Sequence, residues 1–268
     1  MLTDAAISTF RDRGLLRLEQ AVPGDLLAKT QAVVRAVMAR QGLWRDGAWR
    51  LDAVEPKPWP RVSKVPGSKT RFRGAFDELL TPDLMDEVTR LVGDRDLWGS
   101  SWYQLLFTPP NAEQWTVPSK FWHTDAPHLA SGCCPGVKIF TLPEPTQPGG
   151  GATLAVAGSH RLFNPGRFIP SRDVTNRLRN EPCFQDLFRA DLPDRERLVG
   201  PIGRAANVEM EVVELTGRAG DIWLMDPRLM HAPAPNAGAT PRLVVGQMLM
   251  PKLVMHQIQE RYAPEAAA

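Results

Sequence analysis

The chain has 268 residues, 43% hydrophobic and 23% charged, with a formal net charge of +2 at pH 7. That is an ordinary globular composition, long enough for one large domain, and a single domain over 1–268 is expected. The near-balanced charge, without a basic helix or an aromatic–basic interleave, gives no reason to expect nucleic acid. The longest apolar runs are far too short to span a bilayer, so no membrane partner is expected, and the acid-bearing start MLTDAAISTFRDRG does not read as a signal peptide. Cys133, Cys134 and Cys183 make neither a disulfide framework nor a C-x-x-C knuckle, which points to a reducing cytoplasm. Oligomeric state is not readable from the sequence.

In chain order, 3–10 reads as a short amphipathic helix and 15–18 as a strand. Gly24-Asp25 then opens a helix with Leu27, Val33, Val34, Val37 and Met38 at helical spacing. From 44 to 74 the periodicity dissolves, and the Pro-, Trp- and Arg/Lys-bearing stretch reads as a long loop. Such a loop is either a lid or binding loop, or an unstructured insert. Thr81-Pro82-Asp83 is a helix start, with a cap, a first-turn Pro and an acid, and Gly93 is its stop. Beyond that, SWYQLLFT, PSKFWHTD, GVKIFTL, ATLAVA, VEMEVVEL, DIWLMD and RLVVGQMLM read as strands between Pro/Gly-rich turns, with one helical interlude over 171–189. Helices followed by about eight strands suggest a mainly β, double-sheet jelly roll over about 100–250, buttressed by N-terminal helices. The tail beyond Pro251 carries no clear pattern.

The stretch FWHTD carries the chemical question. Five His and 17 Asp in the chain give roughly 0.3 chance His-x-Asp triplets, so the triplet alone is weak. If PSKFWHTD is a strand, period two puts Phe121, His123 and Asp125 on one face, where imidazole and carboxylate share one ion. A 2-His-1-carboxylate facial triad needs one more His on another strand, and leaves positions open for cosubstrate and oxygen. His128 lies past Pro127 and points elsewhere, His160 sits in a turn and His256 lies in the tail. His231 has the right setting, after GDIWLMDPRLM and before a Pro-broken stop. Eleven positions later Arg242 opens a strand, and its guanidinium suits the far carboxylate of a diacid such as 2-oxoglutarate. Each residue also has a plain reading: His231 as a hydrogen-bonded core residue, Arg242 as a surface charge, Asp125 as a turn former. Their joint arrangement argues for the site.

The residues Trp122-His123-Thr124-Asp125, Gly150-Gly151-Ala152-Thr153-Leu154, Gly158-Ser159-His160-Arg161, and Gly220-Asp221 through His231, Asn236 and Arg242 make the chain resemble the phytanoyl-CoA dioxygenase-like family. Its members are iron(II)- and 2-oxoglutarate-dependent oxygenases on a double-stranded β-helix (jelly roll). The resemblance runs from roughly Leu15 to Met250. It implies that Fe(II) is bound by His123, Asp125 and His231, and that 2-oxoglutarate is held by Arg242 and hydrogen-bonded by Thr153. Gln104 and Thr141 lie on strands whose family counterparts touch the cosubstrate; for Thr141 this requires Val137, Ile139 and Thr141 to face inward. Ala157 departs from the usual Pro before Gly-Ser-His, a change in a turn and not in a ligand, and His160 reads as structural. The implied reaction uses O2, releases succinate and CO2, and oxidises a C–H bond of a small molecule. Asp125 occupies the place a halide would need, so hydroxylation, desaturation or ring chemistry is favoured over halogenation. Phe121 and the 44–74 loop are candidates to touch substrate. The loop carries eight Lys/Arg, among them Lys64 and Lys69, against three acids, which favours an anionic molecule or marks a solvated charged loop. Two other readings stay open: a cupin-like metalloenzyme without 2-oxoglutarate, which Arg242 opposes, and a non-catalytic binding protein, which the complete triad opposes.

Overall fold

The computed structural model describes residues 2–51, 69–99, 102–163 and 166–262. α1 (Asp4–Arg13) starts on the Thr3 side chain, which accepts from the Ala6 N–H, and stops at Gly14 in the left-handed conformation. β1 (Leu15–Leu18) and α2 (Gly24–Arg40) follow as their patterns predict. β2 (Trp44–Arg45) and β3 (Ala48–Trp49) form a small hairpin, with the two Trp rings 4.9 Å apart edge to face. Asp46 and Gly47 turn it at φ 53° and 75°, as the favoured two-residue hairpin turn requires. β4 (Lys69–Arg73) is an edge strand. These elements correct the expectation of a structureless loop over 44–74 at both its ends; its middle, with Lys64, lies outside the described residues. α3 (Pro82–Val92) has Thr81 accepting from Leu84 N and Gly93 as its stop, as expected.

The remaining strands are β5 (Leu97–Gly99), β6 (Trp102–Thr108), β7 (Val137–Thr141) and β8 (Thr153–Ala157). The expected helical interlude is split into α4 (Ser171–Leu178) and a single turn, α5 (Gln185–Phe188), because Pro182 interrupts it. Then come β9 (Gly200–Ala205), β10 (Val208–Glu214), β11 (Ile222–Met225), β12 (His231–Pro233) and β13 (Arg242–Pro251), and α6 (Lys252–Tyr262) occupies the tail.

All strand pairings are antiparallel. The larger sheet runs β1-β11-β7-β13-β6-β4, with β5 also on β13, and the smaller runs β12-β8-β10-β9. Two facing antiparallel sheets of this order form the expected jelly roll. Period two sorts the side chains. Tyr103, Leu105, Phe107, Val137, Ile139, Leu243 and Val245 pack outward with Val34 and Met38 of α2 and Val88 of α3. Phe140, Val244, Met225, Ala155 and Ala157 instead fill the space between the sheets. Leu154, Val156 and Val212 cover the outer side of the smaller sheet with Val174, Leu178 and Leu187. The helices thus close both outer faces and leave the space between the sheets to carry the polar groups of the site.

Candidate metal and cosubstrate site

The His123 segment is not a regular strand. Phe121 has φ 71°, and the segment joins the smaller sheet through one bridge, in which the amides and carbonyls of His123 and His231 exchange hydrogen bonds of 2.9 Å each way. The two-residue alternation survives nonetheless. Trp122 and Thr124 are buried, while Phe121, His123 and Asp125 share the opposite, more open face. Asp125 is fixed through its backbone, because its amide and that of Ala126 both donate to Pro227 O.

These contacts bring His123, Asp125 and His231 together. One donor atom from each lies within 4.8 Å of the others, a group able to hold a metal ion. His123 Nε2 is 3.8 Å from Asp125 Oδ1, and His231 Nε2 is 3.7 Å from Asp125 Oδ2. On the other side of each ring, Nδ1 meets a carbonyl two residues back: Phe121 O at 2.7 Å for His123, Leu229 O at 3.0 Å for His231. A carbonyl only accepts, so Nδ1 carries the proton and Nε2 presents its lone pair to the centre, the tautomer a metal ligand needs. Burial pushes His231 down to about 4, so it is neutral at pH 7. Burial raises the Asp125 carboxyl, but His231, Lys138 and His123 together outweigh it and hold the group at about 2, fully ionised at neutral pH. Two imidazoles presenting Nε2 beside a carboxylate are a donor set suited to iron(II).

Arg242 is the second part of the site. It lies opposite Thr108 on β6, turns inward, and donates from Nη2 to Thr153 Oγ1 at 2.7 Å. Its side chain is buried, Nε has no partner among the described residues, and burial alone lowers the guanidinium to about 10. A buried cation with one hydroxyl for company is costly unless an anion completes it. Asn236 sets its position, donating from Nδ2 to Thr108 O and Thr240 O.

Thr153 is therefore beside Arg242. Gln104 is on the inner face of β6, opposite Gly246, with Oε1 3.5 Å from Lys138 Nζ. Thr141 is a correction. Its cross-strand partners Val245 and Ile222 belong to the helix-facing core, so Val137, Ile139 and Thr141 all face outward and Thr141 lies off the site. Lys69 begins β4, and its side chain, like Lys64, lies outside the described residues. His160 holds Arg11 O through Nε2 at 3.0 Å, while Ser159 Oγ accepts from Met230 N, so the Gly-Ser-His turn props the His231 strand from behind. Gly158 is required there: at φ 87° a Cβ would come within 2.5 Å of Glu209 O. Lys138, which the sequence reading passed over, reaches the site with Nζ 3.0 Å from Asp125 Oδ2. A lone Lys alternating with Val137 and Ile139 was the signal.

A family model for phytanoyl-CoA dioxygenase (PhyH) matches residues 10–244, nearly the whole chain, and spans all of these groups. The chain belongs to the phytanoyl-CoA dioxygenase family. Members are iron- and 2-oxoglutarate-dependent oxygenases, so the chain is an oxidoreductase of that class. No curated protein matches its sequence. Solved structures share the fold. AviO1 from Streptomyces viridochromogenes Tue57 is 19% identical with a TM-score of 0.58, covering 93% of this chain and 96% of its own. The epimerase SnoN, solved with Fe3+, alpha ketoglutarate and nogalamycin RO, is 16% identical with a TM-score of 0.56, covering 92% and 82%. EctD from S. alaskensis, solved with 2-oxoglutarate and 5-hydroxyectoine, is 17% identical with a TM-score of 0.57, covering 93% and 76%. Among the described residues, no helix is long and apolar enough to cross a membrane.

Proposed function

We propose that the chain hydroxylates a C–H bond of a small molecule, using iron(II) held by His123, Asp125 and His231 and 2-oxoglutarate anchored by Arg242. The observation that carries this reading is the buried Arg242 guanidinium, whose Thr153 contact leaves Nε unpartnered among the described residues, inside the same inter-sheet space as a His–Asp–His cluster. A cupin-like metalloenzyme working without a diacid has no use for such a cation, and neither has a binding module for a complete triad. The bound iron and 2-oxoglutarate seen with SnoN, and the 2-oxoglutarate seen with EctD, support the same assignment.

When bound, iron(II) and 2-oxoglutarate react with O2 to give succinate and CO2 and supply the oxidising power for the substrate. The chain's own share is binding and placement. Phe121 O and Leu229 O fix the two imidazole tautomers, and Pro227 O fixes the Asp125 backbone. Arg242 and Thr153 would accept the diacid's distal carboxylate through a two-pronged, charge-assisted contact. Phe121, 41% exposed beside His123, forms an apolar ledge at the mouth on which a substrate would rest. The basic excess of 44–74, with Lys64 and Lys69, favours a substrate bearing an anionic group; unchanged substrate affinity after Lys64→Ala and Lys69→Ala would remove that part of the reading. The function itself is tested by loading iron(II) without oxygen, adding 2-oxoglutarate and then O2, and measuring succinate. Succinate should form only with iron and should vanish in His123→Ala; formation without iron would refute the assignment.

A further inference from the structure

Lys138 lies on the inner face of β7, level with Met248 of β13. Its stem passes Phe140, with Nζ 5.7 Å from the ring centroid, and the ammonium ends 3.0 Å from Asp125 Oδ2 and 3.5 Å from Gln104 Oε1. The side chain is only 12% exposed. It does not share Arg242's place in the site. Arg242 and Met248 are six residues apart on one strand, about 20 Å at the usual rise, so the two inward cations start from opposite ends of the inner wall.

A carboxylate can give a metal one oxygen or both. Here Oδ1 faces His123 Nε2 and Oδ2 faces His231 Nε2 at nearly equal distances, 3.8 and 3.7 Å, so the imidazoles do not choose between the two modes. Lys138 breaks this near-symmetry. Its ammonium donates to Oδ2, draws on the lone pairs there and repels a second cation from that oxygen, while Oδ1 has no such partner among the described residues. We propose that Lys138 is a positioning residue that keeps Asp125 a one-oxygen metal ligand, so that the ion retains the open positions needed by 2-oxoglutarate and O2. Gln104 then acts by steering the Lys138 ammonium. The inference rests on the reading of His123, Asp125 and His231 as metal ligands.

The test counts waters on Mn(II) by water-proton relaxation, in the full chain and in Lys138→Met, which keeps the apolar stem and removes the ammonium. In the variant, Asp125 takes a second position on the ion. The relaxation enhancement per bound Mn(II) should fall by roughly a third, one of the three positions the triad leaves open. Mn(II) should still bind, 2-oxoglutarate affinity should drop about tenfold or more, and Lys138→Arg, able to reach Oδ2, should restore both. Lys138→Ala gives the same comparison if the Met variant does not fold. A lysine that only supported the fold would lower stability and Mn(II) uptake without changing the waters per bound ion. That result, or a wild-type water count in both neutral variants, overturns the inference while leaving the metal site intact. A wild-type chain that takes up no Mn(II) overturns the metal-site reading first and this role with it.

Discussion

Replacing Arg242 by Met should make the cosubstrate-free protein more stable while removing its grip on 2-oxoglutarate. The guanidinium is buried with Thr153 Oγ1 as its hydrogen-bond acceptor, and burial lowers it from its ordinary value to about 10. For a base whose folded value is depressed, the charged form is the one that folding penalises. The cost is therefore in force at every pH below about 10 and is relieved only above it. A shift of this size corresponds to about 3 kcal/mol at pH 7. Met removes that cost, offset by about 1 kcal/mol for the Thr153 hydroxyl left without its donor. The net gain of about 2 kcal/mol should raise the melting temperature by roughly 4–8 °C for a chain of this size. Against this stands the lost carboxylate clamp. Two charge-assisted hydrogen bonds at about 1.5–3 kcal/mol each imply a fall in 2-oxoglutarate affinity of about 100- to 10,000-fold. Thermal unfolding of the Mn(II)-loaded proteins with and without 2-oxoglutarate reads both effects. At a hundredfold excess over Kd, the ligand should stabilise the wild type by about 2.7 kcal/mol and leave the variant unmoved. A variant that melts lower than wild type without ligand, yet still responds to 2-oxoglutarate, would show that the guanidinium neither costs stability nor grips the diacid.

Thr153→Val should raise the KM for 2-oxoglutarate about tenfold with kcat nearly unchanged, since the hydroxyl orients Arg242 and does not touch the metal; steady-state kinetics in 2-oxoglutarate checks this. Arg228→Leu should cost about 3–5 kcal/mol in denaturant unfolding, because it strands the buried Asp226 carboxylate, 2.7 Å away, and frees the carbonyls of Gly132 and Cys133. Burial takes both His128 and His231 down to about 4, so the unfolded chain protonates first as pH falls. The metal-free fold should hold its full stability above about 6.5 and lose up to about 3 kcal/mol per His between there and 4, and His128→Gln should flatten that slope in a pH series of denaturant melts.

The sequence carried the helix ends and most strands because their signals are local. Thr81-Pro82 and Gly93 act within one turn of α3, and the near-continuous apolar runs VKIFT and TLAVA follow from sheets covered on both sides. It carried the triad because His123 and Asp125 alternate with Trp122 and Thr124 even without a regular ladder. The face of β7 was not legible. In VKIFT both sets of side chains are mostly apolar, and only the cross-strand partners of Thr141 decide that it meets the helices while Lys138 meets Asp125. The β2–β3 hairpin was missed because strands of two residues have no period, although Asp46-Gly47 was a turn signal. β4 was missed because its charged residues look like loop.

Three side chains distant in sequence should hold one ion. Anaerobic iron(II) titration of the wild type and of His123→Ala, Asp125→Ala and His231→Ala tests it directly. One iron should bind per wild-type chain, with an affinity lowered by at least about tenfold in every variant. Wild-type binding in any one of the three, with the fold intact, would contradict it.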